Sequence, residues 1–276
     1  MSCCGRHVAG PSDNDARRAA PMTYASESRR RSARDRDERT ARTSRYDRLE
    51  PIFQQMQHAA ARVVRFDENY YSTVYRNYGK QTPRTKLAFY QSLLDHAMGV
   101  SRPGTRLLDV GCAFGDFLRN APRQWDLVGS DINEYALDEA RKRDSTITYF
   151  DGAFPPESAG TFDAITALDV LEHMPAFDAV VEQIRERLRP GGTFLFVVPV
   201  YDGPLGWVVH TLDKDPTHLH KMSRKFWLDF AASRFEIVKW TGIVRWMPPV
   251  GSYIHVPTDR LRAISPGIAV LCRRAG

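Results

Sequence analysis

Cysteine is scarce: the 276 residues hold four, and Cys3, Cys4, Cys112 and Cys272 make neither a metal-ligand spacing nor a disulfide framework. Reduced thiols in a cytoplasmic protein are therefore expected. Long hydrophobic runs are also missing. The longest, Phe194 to Val200, is far below the ~18 residues of a membrane helix, so no membrane span is expected. Arg6 has no apolar segment behind it, so a secretory leader is not expected. Lysine is absent from the first fifty residues, which hold 12 Arg against 8 acids and almost no large aliphatics. Such a stretch buries too little apolar surface to offset its ordering entropy, and residues 1–48 read as a disordered tail.

That tail accounts for most of the charge. The chain carries 39 basic and 33 acidic residues, a net +6, and residues 51–276 keep only +2 of it. The basicity is a property of the tail and gives no argument for a nucleic-acid partner at the chemical site. Hydrophobic residues make up 42%, enough for a sizeable core, so residues 49–276 read as one domain behind the tail.

What is present has a clear rhythm. Pro51–Phe66 and Pro83–Met98 read as amphipathic helices, the second stopped at Gly99. Between them lies an aromatic stretch with Tyr70, Tyr71 and Tyr75, and residues 49–103 are expected to form an N-terminal helical lid. From Arg106 short apolar strands alternate with helices. Strands are expected at 106–110, 127–130, 146–150, 162–168 and 193–198, with later ones at 235–240 and 268–272. This alternation predicts a parallel sheet covered on both faces. The Pro-containing stretch 243–266 reads as a long insertion, a length often tied to function.

The chemistry sits at the first strand. Leu107-Leu108-Asp109-Val110-Gly111-Cys112-Ala113-Phe114-Gly115 is an apolar strand, an acid, and a loop with glycines four apart that opens a helix. Glycine there permits positive φ and close approach of a ligand to the backbone. Asp131 ends the next strand, 20 residues after Gly111. In a nucleotide-binding βαβ unit an acid at that place accepts from the ribose hydroxyls. Cys112 reads as a small packing residue, since nothing near it offers a base.

These stretches, followed in order by Phe150-Asp151-Gly152, Phe162-Asp163-Ala164-Ile165, Leu168-Asp169-Val170-Leu171-Glu172-His173 and Leu188-Arg189-Pro190-Gly191-Gly192, resemble a class I S-adenosylmethionine-dependent methyltransferase. The likeness spans roughly residues 104–240 and leans toward the small-molecule branch similar to ubiquinone-biosynthesis O-methyltransferases. It implies a doubly wound, mostly parallel seven-stranded α/β sheet, the Rossmann-like methyltransferase fold, with N-terminal helices and an antiparallel last strand. It implies S-adenosyl-L-methionine as cofactor. Gly111, Cys112, Ala113 and Gly115 would line its methionine end, and Asp109 would approach its amino group. Asp131 would take the ribose, Ile132, Asp151 and Gly152 would flank the adenine, and Leu168 and Asp169 would border the sulfonium. Ala113 departs from the glycine usual there.

A hydroxyl or other nucleophile of a small-molecule acceptor would take the methyl group. His173 and His218 are the candidate bases, because histidine titrates near neutrality. Each also has a plainer reading, as a structural loop histidine. A zinc trio of His210, His218 and His220 lacks a fourth ligand, so no metal is expected. Two other functions are weighed. A nicotinamide-dependent oxidoreductase would want the full Gly-x-Gly-x-x-Gly, which is incomplete here, and no Tyr-x-x-x-Lys pair occurs. A nucleic-acid methyltransferase would want an Asp/Asn-Pro-Pro-aromatic segment, also missing. Oligomeric state is not legible.

Overall fold

The computed structural model describes residues 82–99, 102–203, 206–213, 215, 217–246 and 253–276. The expected tail, the helix over 51–66 and the aromatic segment at Tyr70, Tyr71 and Tyr75 lie outside the described residues. Helix α1 (Arg84–Met98) begins after Pro83 and ends at Gly99, whose φ of 71° is left-handed. Its buried residues Leu87, Tyr90, Leu93 and Leu94 recur at helical spacing and form one stripe.

The alternating units follow as β1 (Arg106–Val110), α2 (Asp116–Asn120), β2 (Asp126–Asp131), α3 (Glu134–Arg143), β3 (Thr148–Asp151), β4 (Phe162–Leu168), α4 (Phe177–Arg187) and β5 (Leu188–Pro199). A single 3-10 turn, Leu171–His173, separates β4 from α4. Then come α5 (Gly206–Leu212), α6 (Arg224–Ala232), β6 (Glu236–Trp246), β7 (Ile254–Thr258) and β8 (Gly267–Arg273). The α6 start is fixed by Ser223, whose hydroxyl accepts the Phe226 N–H at 3.1 Å.

One sheet runs in the order β3-β2-β1-β4-β5-β8-β6-β7. The first five strands are parallel. β8 lies antiparallel to both β5 and β6. The chain winds outward through β1, β2 and β3, then returns to place β4 on the other side of β1. That reversal opens a crevice at the carboxyl ends of β1 and β4, where ligands bind in open α/β sheets.

The strand count of seven needs correction: the sheet has eight. The eighth comes from the stretch read as an insertion. β6 runs on through Ile243-Val244-Arg245-Trp246, and β7 folds back on it, with Gly242 opposite Thr258 and Trp246 opposite Ile254. The prolines misled. Pro248 and Pro249 fall between the two strands, and Pro257 sits in the edge strand β7, where proline is tolerated.

The sheet is apolar on both faces. On one, Leu107, Leu195, Val197 and Leu271 pack with Leu94 of α1, Leu118 of α2 and Leu137 of α3. On the other, Leu108, Phe194, Phe196 and Val270 pack with Ile184 of α4 and Trp227 of α6. Neighbouring residues thus feed opposite cores, which is why these strands read as unbroken apolar runs. Burying each such Leu or Phe is worth about 1.5–3 kcal/mol, so the middle strands are the rigid platform beneath the crevice.

Candidate active site

The loop after β1 is shaped by backbone constraint. Gly111 has φ 71°, and a Cβ on it would lie 2.3 Å from Val170 Cγ2. Gly115, at the start of α2, has φ 69°, and a Cβ there would meet the Tyr149 hydroxyl at 2.3 Å. Ala113 between them also has positive φ, 46°. Alanine pays strain there that glycine would not, of order 1–2 kcal/mol. Asp131 helps hold that shape: its Oδ2 accepts the Ala113 N–H at 2.8 Å, and its Oδ1 accepts the Asn133 N–H at 2.9 Å. Burial raises the Asp131 pKa, and the backbone N–H groups of Asn133 and Ala113 oppose that rise.

Asp109 is buried one strand away, with Oδ1 accepting the Thr166 hydroxyl at 2.6 Å. Burial pushes its pKa up to about 7, with the Thr166 bond pulling down and the Asp131 charge pushing up. Asp151 stands opposite Asp131 in the β2–β3 register. Gly152, at φ 119°, donates its N–H to the Asp131 carbonyl at 2.9 Å. Ile132 is an apolar side chain 57% exposed beside them, a surface suited to a flat base. Asp109, Gly111, Ala113, Gly115, Asp131, Ile132, Asp151 and Gly152 therefore converge at one end of the sheet. Leu168 ends β4 at the same edge.

S-adenosyl-L-methionine fits this set. The turn exposes backbone without side chains at Gly111 and Gly115, an anionic acceptor stands at the tip of β2, and an apolar face lies next to it. Two further expected members, Cys112 and Asp169, are held by neighbours of their own. The Cys112 side chain is buried in the core and packs toward Gly129, where a Cβ would lie 2.7 Å from its sulfur. Burial raises its thiol pKa well above the usual value, so it lines the core and is no nucleophile. Asp169 does not present a free carboxylate. With φ 55°, it is ion-paired to Lys86 Nζ at 3.1 Å and to the Arg245 guanidinium. Burial alone would raise its pKa, but Arg245 and Lys86 hold it well below the usual carboxylate range.

This ion triad ties α1 and β6 to the end of β4, and neither Lys86 nor Arg245 was a sequence candidate. Beside it Tyr90, fully buried in α1, meets His255 Nε2 of β7 at 3.2 Å. Burial, then the Lys86 charge, lowers the His255 pKa to about 4. The stretch read as an insertion thus packs its hairpin against the N-terminal helix.

The two candidate histidines do come together. Their ring centroids are 4.6 Å apart. The loop carrying His218 is clamped by the Glu172 carbonyl, which accepts the N–H groups of Leu219 and His220 at 2.9 and 3.1 Å. His218 Nδ1 lies 2.7 Å from Asp213 Oδ2, which also accepts from the Tyr201 hydroxyl. Burial would raise Asp213, but the Tyr201 and His218 bonds bring it down to about 2. His173 Nδ1 is 2.7 Å from the Thr217 hydroxyl. Burial, reinforced by His218, lowers the His173 pKa to about 4. Glu172 is buried as well, and burial followed by the Asp169 charge raises its pKa well above the usual value. The zinc trio set aside on the sequence is not brought together: His220 Nε2 is engaged with the Met174 carbonyl at 2.9 Å and His210 is exposed. Asp213, Tyr201 and Thr217 carry no motif and were missed.

A family model described as a methyltransferase domain matches residues 78–240. Sterol 24-C-methyltransferase of Clavispora lusitaniae is 33% identical over 132 residues, 43% of this chain and 34% of that protein. The corresponding enzyme of Debaryomyces hansenii is 28% identical over 156 residues, 53% of this chain and 39% of that protein. The chain thus spans about a third of the length of these curated relatives. Among solved structures, a SAM-dependent methyltransferase from Thermotoga maritima superposes with a TM-score of 0.53 at 14% identity, over 74% of this chain and 97% of the other. The [4+2]-cyclase SpnF does so with a TM-score of 0.50 at 18% identity, over 70% and 82%. Sharing the fold with a cyclase, the scaffold alone does not decide the chemistry. No helix among the described residues is long and apolar enough to cross a membrane.

Proposed function

Because the chain belongs to the class I S-adenosylmethionine-dependent methyltransferases, we propose that it methylates a hydroxyl or other nucleophile of a small molecule held between the β1–β2 edge and the Glu172–His173–His218 cluster. S-adenosyl-L-methionine supplies a methyl group on a positive sulfonium, a good leaving group, so the protein's main tasks are alignment and exclusion of water. Asp131 would hold the ribose hydroxyls, Ile132 with Asp151 and Gly152 the adenine, and the Gly111–Gly115 turn the methionine end. Asp109, with its raised pKa, would face the amino group. Lys86 and Arg245 fix Asp169 and so set the wall beside the transferred group.

An acceptor that sheds a proton would shed it at the His173–His218 pair. Both rings have Nδ1 tied to a polar partner, which orients the opposite nitrogen. The observation that carries the reading is the convergence of the positive-φ turn and Asp131 at the sheet's reversal. Calorimetric titration with S-adenosylhomocysteine, run beside NAD+, tests it. Saturable binding of the former and none of the latter is expected; the opposite result would transfer the chain to the oxidoreductase reading.

A further inference from the structure

We infer that the cleft between α1, α2 and the end of α3 is a binding site for a small phosphate-bearing molecule, outside the methyl-transfer crevice. Arg84, Arg119, Arg123 and Arg143 line it, together with Asp116 and Asp144. Four guanidiniums against two carboxylates leave the walls with an excess of positive charge. The cavity measures about 480 Å³, inside the ~300–1,000 Å³ range of small-molecule sites, so there is room for an organic part beside the phosphate. Guanidinium forks meet phosphate oxygens two at a time, which suits arginine to this group above other cations.

The arginines are held in place without being neutralised. Asp116 pairs with Arg119 and, at 3.7 Å, with Arg143, so one carboxylate serves two cations. Asp144 pairs with Arg123. The Arg143 guanidinium lies 4.7 Å from the centre of the Phe114 ring, and this stacking fixes its plane. Arg84 stands exposed at the start of α1.

Two buried polar atoms at the cleft carry the inference further. Arg119 Nε has no hydrogen-bond partner among the described residues. The same holds for the hydroxyl of Tyr149, a residue 9% exposed, which stands against Gly115, directly before Asp116. Burial raises the Tyr149 pKa, with Cys112 and Asp144 adding to the rise and Arg119 opposing it, so the hydroxyl keeps its proton and senses both walls of the cleft. A buried donor without an acceptor is costly, and phosphate oxygens offer acceptors to both. None of these side chains holds the methyl donor in the reading above, so the site stands or falls apart from it.

Calorimetric titration of the full chain with inorganic pyrophosphate at ~0.15 M salt tests the site. Saturable binding is expected, weakened about tenfold or more in Arg119→Gln and in Arg143→Gln. It should be unchanged in Arg185→Ala, in α4 on the opposite face of the sheet. The arginine-rich tail is present in every variant and drops out of the comparison. Asp116→Asn gives the sharper sign: releasing Arg119 and Arg143 should tighten binding about threefold or more, an effect that a merely structural carboxylate would not produce. No saturable binding, wild-type affinity in either arginine-to-glutamine variant, an equal loss in Arg185→Ala, or no gain in Asp116→Asn overturns the site. Cooperative thermal unfolding reports folding of each variant; should one of the three cleft variants fail to fold, the other two decide.

Discussion

At the turn proposed to hold the cofactor, the contact that sets the backbone is short in sequence: Ala113 and Asp131 are 18 residues apart. At the wall around Asp169 and His255 the contacts span the chain, with Arg245 76 and Lys86 83 residues from Asp169, and Tyr90 165 residues from His255. The first side works with backbone, so particular residue types must stand at particular spacings: glycine where φ is left-handed, an acid at the strand end. The second side works with side chains meeting across the fold. Many residue pairs would serve there, so it can change with the acceptor while the cofactor turn stays fixed.

The largest effect is expected where the acceptor side is tied down. Arg245→Ala would leave Asp169 buried with one cation fewer, at a cost of about 3–5 kcal/mol in denaturant unfolding. A loss under about 1 kcal/mol would mean that the triad does not hold this wall. His218→Ala is expected to lower turnover about 100-fold while S-adenosylhomocysteine affinity stays within about twofold, which separates the two sides functionally. An equal loss in both would erase the distinction.

The smallest effect is one of pH. His255 has its folded pKa lowered to about 4, below the ordinary value of 6.5. The unfolded chain therefore binds the proton first, and stability falls as pH drops from about 6.5 toward 4. With partial exposure, His255 contributes about 1–2 kcal/mol to that fall. His255→Gln should flatten the stability-versus-pH curve by that amount; an unchanged slope would place the ring in solvent.

The same contrast decides what was legible in the sequence. The alternating parallel strands and the shape of the turn after β1 were readable because Leu107–Gly115 and Asp131 are local signals of backbone shape. The eighth strand was not, because Pro257 argued against a strand and only its edge position permits it. The ion pairs of Asp169 with Lys86 and Arg245 were not legible, because no spacing connects the three residues. His173 and His218 were picked for their chemistry, but Asp213, Tyr201 and Thr217 orient them through contacts that only the folded loops create.

The central claim is that the β1–β2 edge binds the cofactor through Asp131. Calorimetric titration of S-adenosylhomocysteine into wild-type and Asp131→Ala proteins tests it most directly. Loss of two charge-assisted hydrogen bonds predicts affinity at least about 100-fold weaker in the variant, with its thermal unfolding still cooperative. Equal affinity in the two proteins would contradict the account.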